Sequence, residues 1–179
     1  MSIDMSTERA WLLKAIGEML LPEFLRKGFE NFTLPRSMVG PVDREFIISH
    51  PFGLLRRHSE RGIEQVEIHL ASKARGAFNL TFGVIPRGGI DSVFGRIDAG
   101  ESLVTWMDEF FGLYCNPKSF KPFAVHGRWW SRKEVTEADC IALVNKVINL
   151  IPEIERALSK GEVGPHVRRM VRGKRPPDD

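Results

Sequence analysis

The stretch GIEQVEIHLASKARGAFNLTFGVI, residues 62–85, decides the fold. In its first half Val66, Ile68 and Leu70 alternate with Glu67 and His69; in its second, Phe78, Leu80, Phe82 and Val84 alternate with Asn79 and Thr81. A period of two is that of a half-buried strand, because successive side chains leave opposite faces of a pleated backbone. The link Ser72-Lys73-Ala74-Arg75-Gly76 is short and polar, and Gly76 tolerates a positive φ, so an antiparallel hairpin is the economical connection. Pairing symmetric about Ala74 sets Leu70 opposite Phe78, Ile68 opposite Leu80 and Val66 opposite Phe82, with Glu67 opposite Thr81 and His69 opposite Asn79. One face is then wholly apolar and the other polar, a division that a one-residue slip would destroy.

Upstream, Leu12, Ile16, Met19 and Leu20 recur at helical spacing within residues 6–27, flanked by Trp11 and Ala15. This predicts an amphipathic helix, disturbed at Pro22 and stopped at Gly28. Phe29, Phe32 and Leu34 suggest a strand; Pro35, Gly40 and Pro41 mark a loop; EFIIS at 45–49 reads as another short strand. Downstream, Pro86-Arg87-Gly88-Gly89 is a turn and residues 92–97 read as the next strand. Leu103, Trp106, Met107, Phe110 and Phe111 then fall at i, i+3, i+4, i+7 and i+8, which predicts a middle helix over 103–111. AVHGRWW at 124–130 reads as a last strand. Thr136 and Asp139 form a capping-box start for a long helix carrying Leu143, Val144, Val147, Ile148, Ile151, Ile154 and Leu158, interrupted at Pro152 and stopped at Gly161.

With no βαβ alternation, the order predicts an α+β fold: a mainly antiparallel sheet with a central hairpin, packed against N-terminal, middle and C-terminal helices. The middle and C-terminal helices are expected to bury their stripes on the apolar sheet face, with Phe82 and Leu143 in the core. The expected organisation is one domain over residues 1–160 and a basic, flexible tail over 161–179.

Composition sets the outer bounds. The 179 residues are 42% hydrophobic and 27% charged, which excludes a disordered, fibrous or collagenous chain. Two cysteines, Cys115 and Cys140, build neither a zinc ribbon nor a disulfide framework. The start MSIDMSTERAW lacks the pattern of a signal peptide, and no apolar run approaches the roughly 20 residues that cross a bilayer. A cytoplasmic protein with no membrane contact is the expectation. The net charge of +3 is concentrated: residues 156–179 hold seven basic residues against three acids, leaving that segment at +4 and the rest at −1. Such a tail can neutralise phosphates of a nucleic acid, or simply be a solvated terminus. The sequence holds no G-x-x-x-x-G-K-[ST], no G-x-G-x-x-G after a strand, no H-E-x-x-H, no C-x-x-C and no G-x-S-x-G, and its five histidines lack metal-ligand spacing. No cofactor and no metal are expected.

Taken together, FLRKGFENF at 24–32, the 62–86 stretch, RWW at 128–130 and NLIPEIERAL at 149–158 resemble an uncharacterised bacterial α+β family, a domain of unknown function. The resemblance covers roughly residues 12–158. It implies an N-terminal helix ending in Gly-Phe, a V-x-I-x-L strand leading to an F-x-L-x-F-G strand, a tryptophan-rich segment and a C-terminal helix broken near a proline. It implies no catalytic residues.

Three groups of residues carry candidate chemistry. Glu67 and His69, two apart on the polar hairpin face with Gln65, Asn79 and Thr81 about them, have the types and spacing of an acid and base pair, although a nucleophile is missing and a covered or solvated sheet face is the plainer reading. Arg56, Arg57, His58 and Arg61 cluster before the hairpin and could clamp a phosphate or carboxylate, or be solvated. His126, Arg128, Trp129 and Trp130 put two tryptophans on opposite faces of a strand; the outward one, beside an arginine, suits an interface anchor, whereas both could equally cap the core. The leading reading is a non-catalytic binding protein of accessory or immunity type, whose partner is another protein, with the chain itself a monomer or homodimer. The second is a nucleic-acid-associated protein using the basic tail, and the third a small hydrolase-like enzyme using Glu67 and His69.

Overall fold

The 62–85 hairpin forms the middle of the molecule in the register its alternation requires. The computed structural model describes residues 7–32, 51–71, 76–92, 95–125 and 134–171. Strands β1 (Glu30–Phe32), β2 (Leu54–Ser59), β3 (Gly62–Leu70) and β4 (Ala77–Pro86) are followed by a small hairpin of β5 (Ile90–Ser92) and β6 (Gly95–Ile97), then by β7 (Glu109–Leu113), β8 (Phe123–Ala124) and β9 (Val167–Val171). The main sheet runs β1-β2-β3-β4-β7-β9, with β8 also paired to β4, and every pairing in it is antiparallel. Leu70 pairs with Phe78, Ile68 with Leu80, Val66 with Phe82, Glu67 with Thr81 and His69 with Asn79. The fold is α+β with an antiparallel sheet.

The helices come from the two ends of the chain. Helix α1 (Thr7–Ala15) passes through a π-turn (Ile16–Leu20) into α2 (Leu21–Arg26). Pro22 is the cause: a proline clashes with the carbonyl four residues back and donates no hydrogen bond, and the widened turn, in which the Leu21 N–H reaches back to the Ile16 carbonyl, absorbs both problems. Gly28, at φ 83°, ends the segment in a Schellman motif, with Phe29 N–H on the Phe24 carbonyl and the two phenyl rings edge to face at 5.5 Å. At the other end, α3 (Glu137–Ile148) starts at the expected Thr136/Asp139 capping box; α4 (Ile151–Lys160) follows the break near Pro152 and ends at Gly161, φ 71°.

Both helical ends cover one sheet face. Leu12, Ile16, Leu20 and Phe24 meet Cys140, Val144, Val147, Ile154 and Leu158 over Val66, Ile68, Leu70, Phe78, Leu80 and Phe82. Phe82 is fully buried, as expected; Leu143 is only partly buried at the margin of that core.

Several expectations need correction. No helix forms over 103–111: Val104–Trp106 is a single 3₁₀ turn and Glu109–Leu113 is β7. In a helix Phe110 and Phe111 would share one side. As strand residues they diverge, Phe111 stacking on Phe82 at 5.6 Å in the main core while Phe110 joins a second, smaller core of Ile63, Ile85, Ile90 and Val104 on the opposite face. The outer edge of β4 needs a hydrogen-bonding partner, and Leu80↔Leu113 to Phe82↔Phe111 supply it. The strand expected over 92–97 is the β5–β6 hairpin.

The tail expected from residue 161 also docks in part. Residues 167–171 pair along the whole of β7; Val167 is buried, and Arg168 donates to the Pro117 and Lys118 carbonyls while lying 3.8 Å from the Phe120 ring centre. The strands expected at 45–49 and over most of 124–130 lie outside the described residues. So do the tip of the hairpin and the far end of the tail.

Candidate functional site

Adjacent antiparallel strands place residues of one face in a row, and on the face away from the helices that row is polar. Arg56 pairs with Gln65 across β2 and β3, and Glu67 pairs with Thr81 across β3 and β4. The side chains join into one chain. Arg56 Nε donates to Gln65 Oε1 at 2.8 Å, Gln65 Nε2 donates to Glu67 Oε1 at 2.6 Å, Glu67 Oε2 lies 3.3 Å from His69 Nε2, and that nitrogen is 2.5 Å from Thr81 Oγ1. The remaining Arg56 nitrogens donate to the carbonyls of Gly100 and Ser102, each at 2.6 Å, and its guanidinium sits 4.1 Å from the centre of the Phe32 ring. Burial pushes the Arg56 guanidinium below its ordinary value, and the Glu67 carboxylate opposes that shift.

This face is covered rather than solvated. Gln65 and Glu67 are each 0% exposed, and Arg56 is 7% exposed. The segment from Ala99 to Trp106 lies over β3 and β4, and its backbone carbonyls are what Arg56 binds. His69 is the part of the chain that reaches solvent, at 22% side-chain exposure.

The geometry bears on chemistry. In a hydroxyl–histidine–carboxylate relay the hydroxyl and the carboxylate use opposite ring nitrogens, so that a proton taken at one is balanced by a charge at the other. Here Thr81 and Glu67 both face Nε2.

The arginine cluster expected before the hairpin is not a loop and does not converge. Arg56 and Arg57 are consecutive on β2 and point to opposite faces. Arg57 turns to the helices, where it holds Glu64 (Nε to Oε2, 2.9 Å), Glu155 on α4 (3.2 Å) and the Lys27 carbonyl (2.7 Å), with the Phe29 ring 4.4 Å below its guanidinium. His58 is exposed towards the end of β2, opposite Ile63. Arg61, in the β2–β3 turn, donates to the carbonyls of Leu158 and Ser159 at 2.6 and 3.2 Å and so caps α4. Arg128, Trp129 and Trp130 lie outside the described residues, as does His126.

A second feature went unread in the sequence. The β4–β7 ladder ends at Phe82↔Phe111, although Gly83 and Phe110, next in register, stay adjacent: a Cβ on Gly83 would fall 3.7 Å from Phe110 Cβ. Beside this end of the ladder, between β4, β7, the middle of β9 and the end of α4, lies a cleft of about 260 Å³. Val84, Met107, Phe110, Phe111 and Ala157 give it apolar walls, and Arg61, Glu109 and Arg169 supply charge. Arg169 lies on β9, within the segment whose composition reads as a solvated tail. Among the described residues no group of three or more His, Cys, Asp or Glu side chains gathers as a metal site. No protein-family model, no curated protein and no solved structure matches the chain.

Proposed function

We propose that this is a non-catalytic binding protein, an accessory or immunity-type component whose partner is another protein. One observation carries the reading: the two residues best suited to acid and base work, Glu67 and His69, sit in a covered row with Arg56, Gln65 and Thr81, in which the Thr81 hydroxyl is bonded to the same histidine nitrogen that lies 3.3 Å from the carboxylate. Such a row ties three strands and the segment above them into a fixed platform. A cytoplasmic location belongs to the same proposal and is supported by free thiols at Cys115 and Cys140. Membership of the bacterial α+β family is likewise proposed, on the sequence patterns alone. No helix among the described residues is long and apolar enough to cross a membrane.

The nucleic-acid reading ranks second, because Arg168 and Arg169 turn their guanidiniums to contacts within the chain. The test is co-expression with the products of neighbouring genes, followed by light scattering on the purified species. A stoichiometric complex that survives in His69→Gln supports the binding reading. Turnover of an ester or amide substrate that vanishes in His69→Gln, while the fold is retained, overturns it.

A further inference from the structure

We infer that the cleft between β4, β7, β9 and the end of α4 is a binding site for a carboxylate carried on a small apolar body. The cleft lies where the β4–β7 ladder ends at Phe82↔Phe111, beside β9 and the end of α4. Its walls come from Val84 on β4, Met107 just before β7, Phe110 and Phe111 on β7 and Ala157 on α4, with Arg169 of β9 over the Phe111 ring. A cleft of about 260 Å³ equals the share of roughly nine waters at about 30 Å³ each. That is at or below the lower end for ligand pockets, which excludes a nucleotide and suits a short alkyl or aryl group.

Charge selects the head group. Two guanidiniums, Arg61 and Arg169, line the cleft against one carboxylate, Glu109. Arg61 is bonded to two carbonyls, which carry no net charge, and Arg169 lies 3.9 Å from Glu109 and 3.5 Å from the Gly161 carbonyl, long contacts that a bidentate carboxylate would displace. A carboxylate on an apolar body occurs both as a free short-chain acid and as the C-terminal residue of a protein chain, and the cleft reads the chemistry common to both.

The test is a two-dimensional amide NMR titration of the full chain with octanoate, and with octanol and octylamine as matched bodies lacking the anion. Octanoate is expected to saturate with a dissociation constant of about 1 mM or tighter, shifting amides around Val84, Met107, Phe110 and Arg169, and to bind about tenfold more tightly than either control. Arg169→Gln, a substitution at a half-exposed strand position, is expected to weaken octanoate about tenfold while leaving octanol unchanged. Equal binding of all three probes to the wild type, no saturable shift at the cleft, or unchanged octanoate affinity in Arg169→Gln overturns the inference. The wild-type comparison decides even if the variant fails to fold. Acetyl-Gly-Leu as free acid, set against its amide, separates the sources: tighter binding of the peptide acid than of octanoate assigns a chain terminus, the reverse a free acid. The inference is independent of the protein-partner reading, since a cleft that binds no carboxylate leaves that reading where it stood.

Discussion

Replacing Arg56 with methionine tests whether the polar row is the structural tie described above. Methionine keeps most of the aliphatic stem, so the loss isolates the guanidinium. Three acceptors lose their donor: Gln65 Oε1, the Ser102 carbonyl and the Gly100 carbonyl. Gly100 is exposed, and its carbonyl can turn to water at little cost. Gln65 and Ser102 are 0% exposed and cannot, and each such unmade bond costs about 1–3 kcal/mol. The Glu67 carboxylate, 0% exposed, also loses the charge of a cation that reaches it through Gln65, and leaving a buried charge less compensated costs up to about 3–5 kcal/mol, the figure for breaking a buried pair in direct contact. These terms overlap because they describe one network, so we expect a total of about 3–5 kcal/mol rather than their sum. Urea unfolding followed by tryptophan fluorescence measures it, with an unchanged slope as the check on two-state behaviour. In the double variant Arg56→Met/Glu67→Gln the deficit is expected to fall short of the two single losses added together by about 1–3 kcal/mol. Being buried, the coupling is expected to be the same at about 0.1 M and about 1 M salt. A single-variant cost below about 1 kcal/mol, or strict additivity, would refute the account of the row as a coupled unit.

Other expectations follow from packing and burial. Deleting residues 167–179 removes a strand paired along all of β7 together with buried Val167, and we expect a loss of about 2–3 kcal/mol, or a melting temperature lower by roughly 4–12 °C; an unchanged melting curve would mean that β9 does not dock. Phe82→Ala empties a fully buried site stacked on Phe111 and should cost about 3–5 kcal/mol in the same urea assay, whereas a cost under about 1 kcal/mol would deny it a place in the core. Burial, reinforced by the nearby acids Asp139, Glu8 and Glu137, holds the Cys140 thiol above its ordinary value. The neutral thiol is therefore the form the fold favours: its contribution is complete below the ordinary thiol value and is lost as pH rises through and above it. Iodoacetamide near neutral pH should label half-buried Cys115 first and Cys140 only on unfolding, and equal rates at the two sites would contradict the burial.

How far the sequence could be read depended on how local the deciding interactions are. The β3–β4 register followed from a period-two pattern over adjacent segments, because nearest neighbours in the chain became nearest neighbours in the sheet and only one register keeps the apolar residues on one side. The start of α3, the break near Pro152 and the stops at Gly28 and Gly161 were equally legible, since caps and prolines act within four or five residues. Residues 103–111 defeated the same method. Their spacing satisfies a helix, but Phe110 and Phe111 are divided between two cores, and the demand that overrides the helical pattern comes from the unpaired edge of β4, nearly thirty residues earlier in the chain. Residues 167–171 escaped for a related reason: a ledger of apolar side chains omits the backbone hydrogen bonds that β7 supplies.

The candidate chemistry divides along the same line. That Glu67, His69 and Thr81 share a sheet face was a matter of parity and could be counted. That this face is closed over, that Arg56 rather than Arg57 joins it, and that a cleft lies where the β4–β7 ladder ends were decided by strands and turns distant in sequence. Burial is a property of what lies on top, and no local pattern in a strand records that.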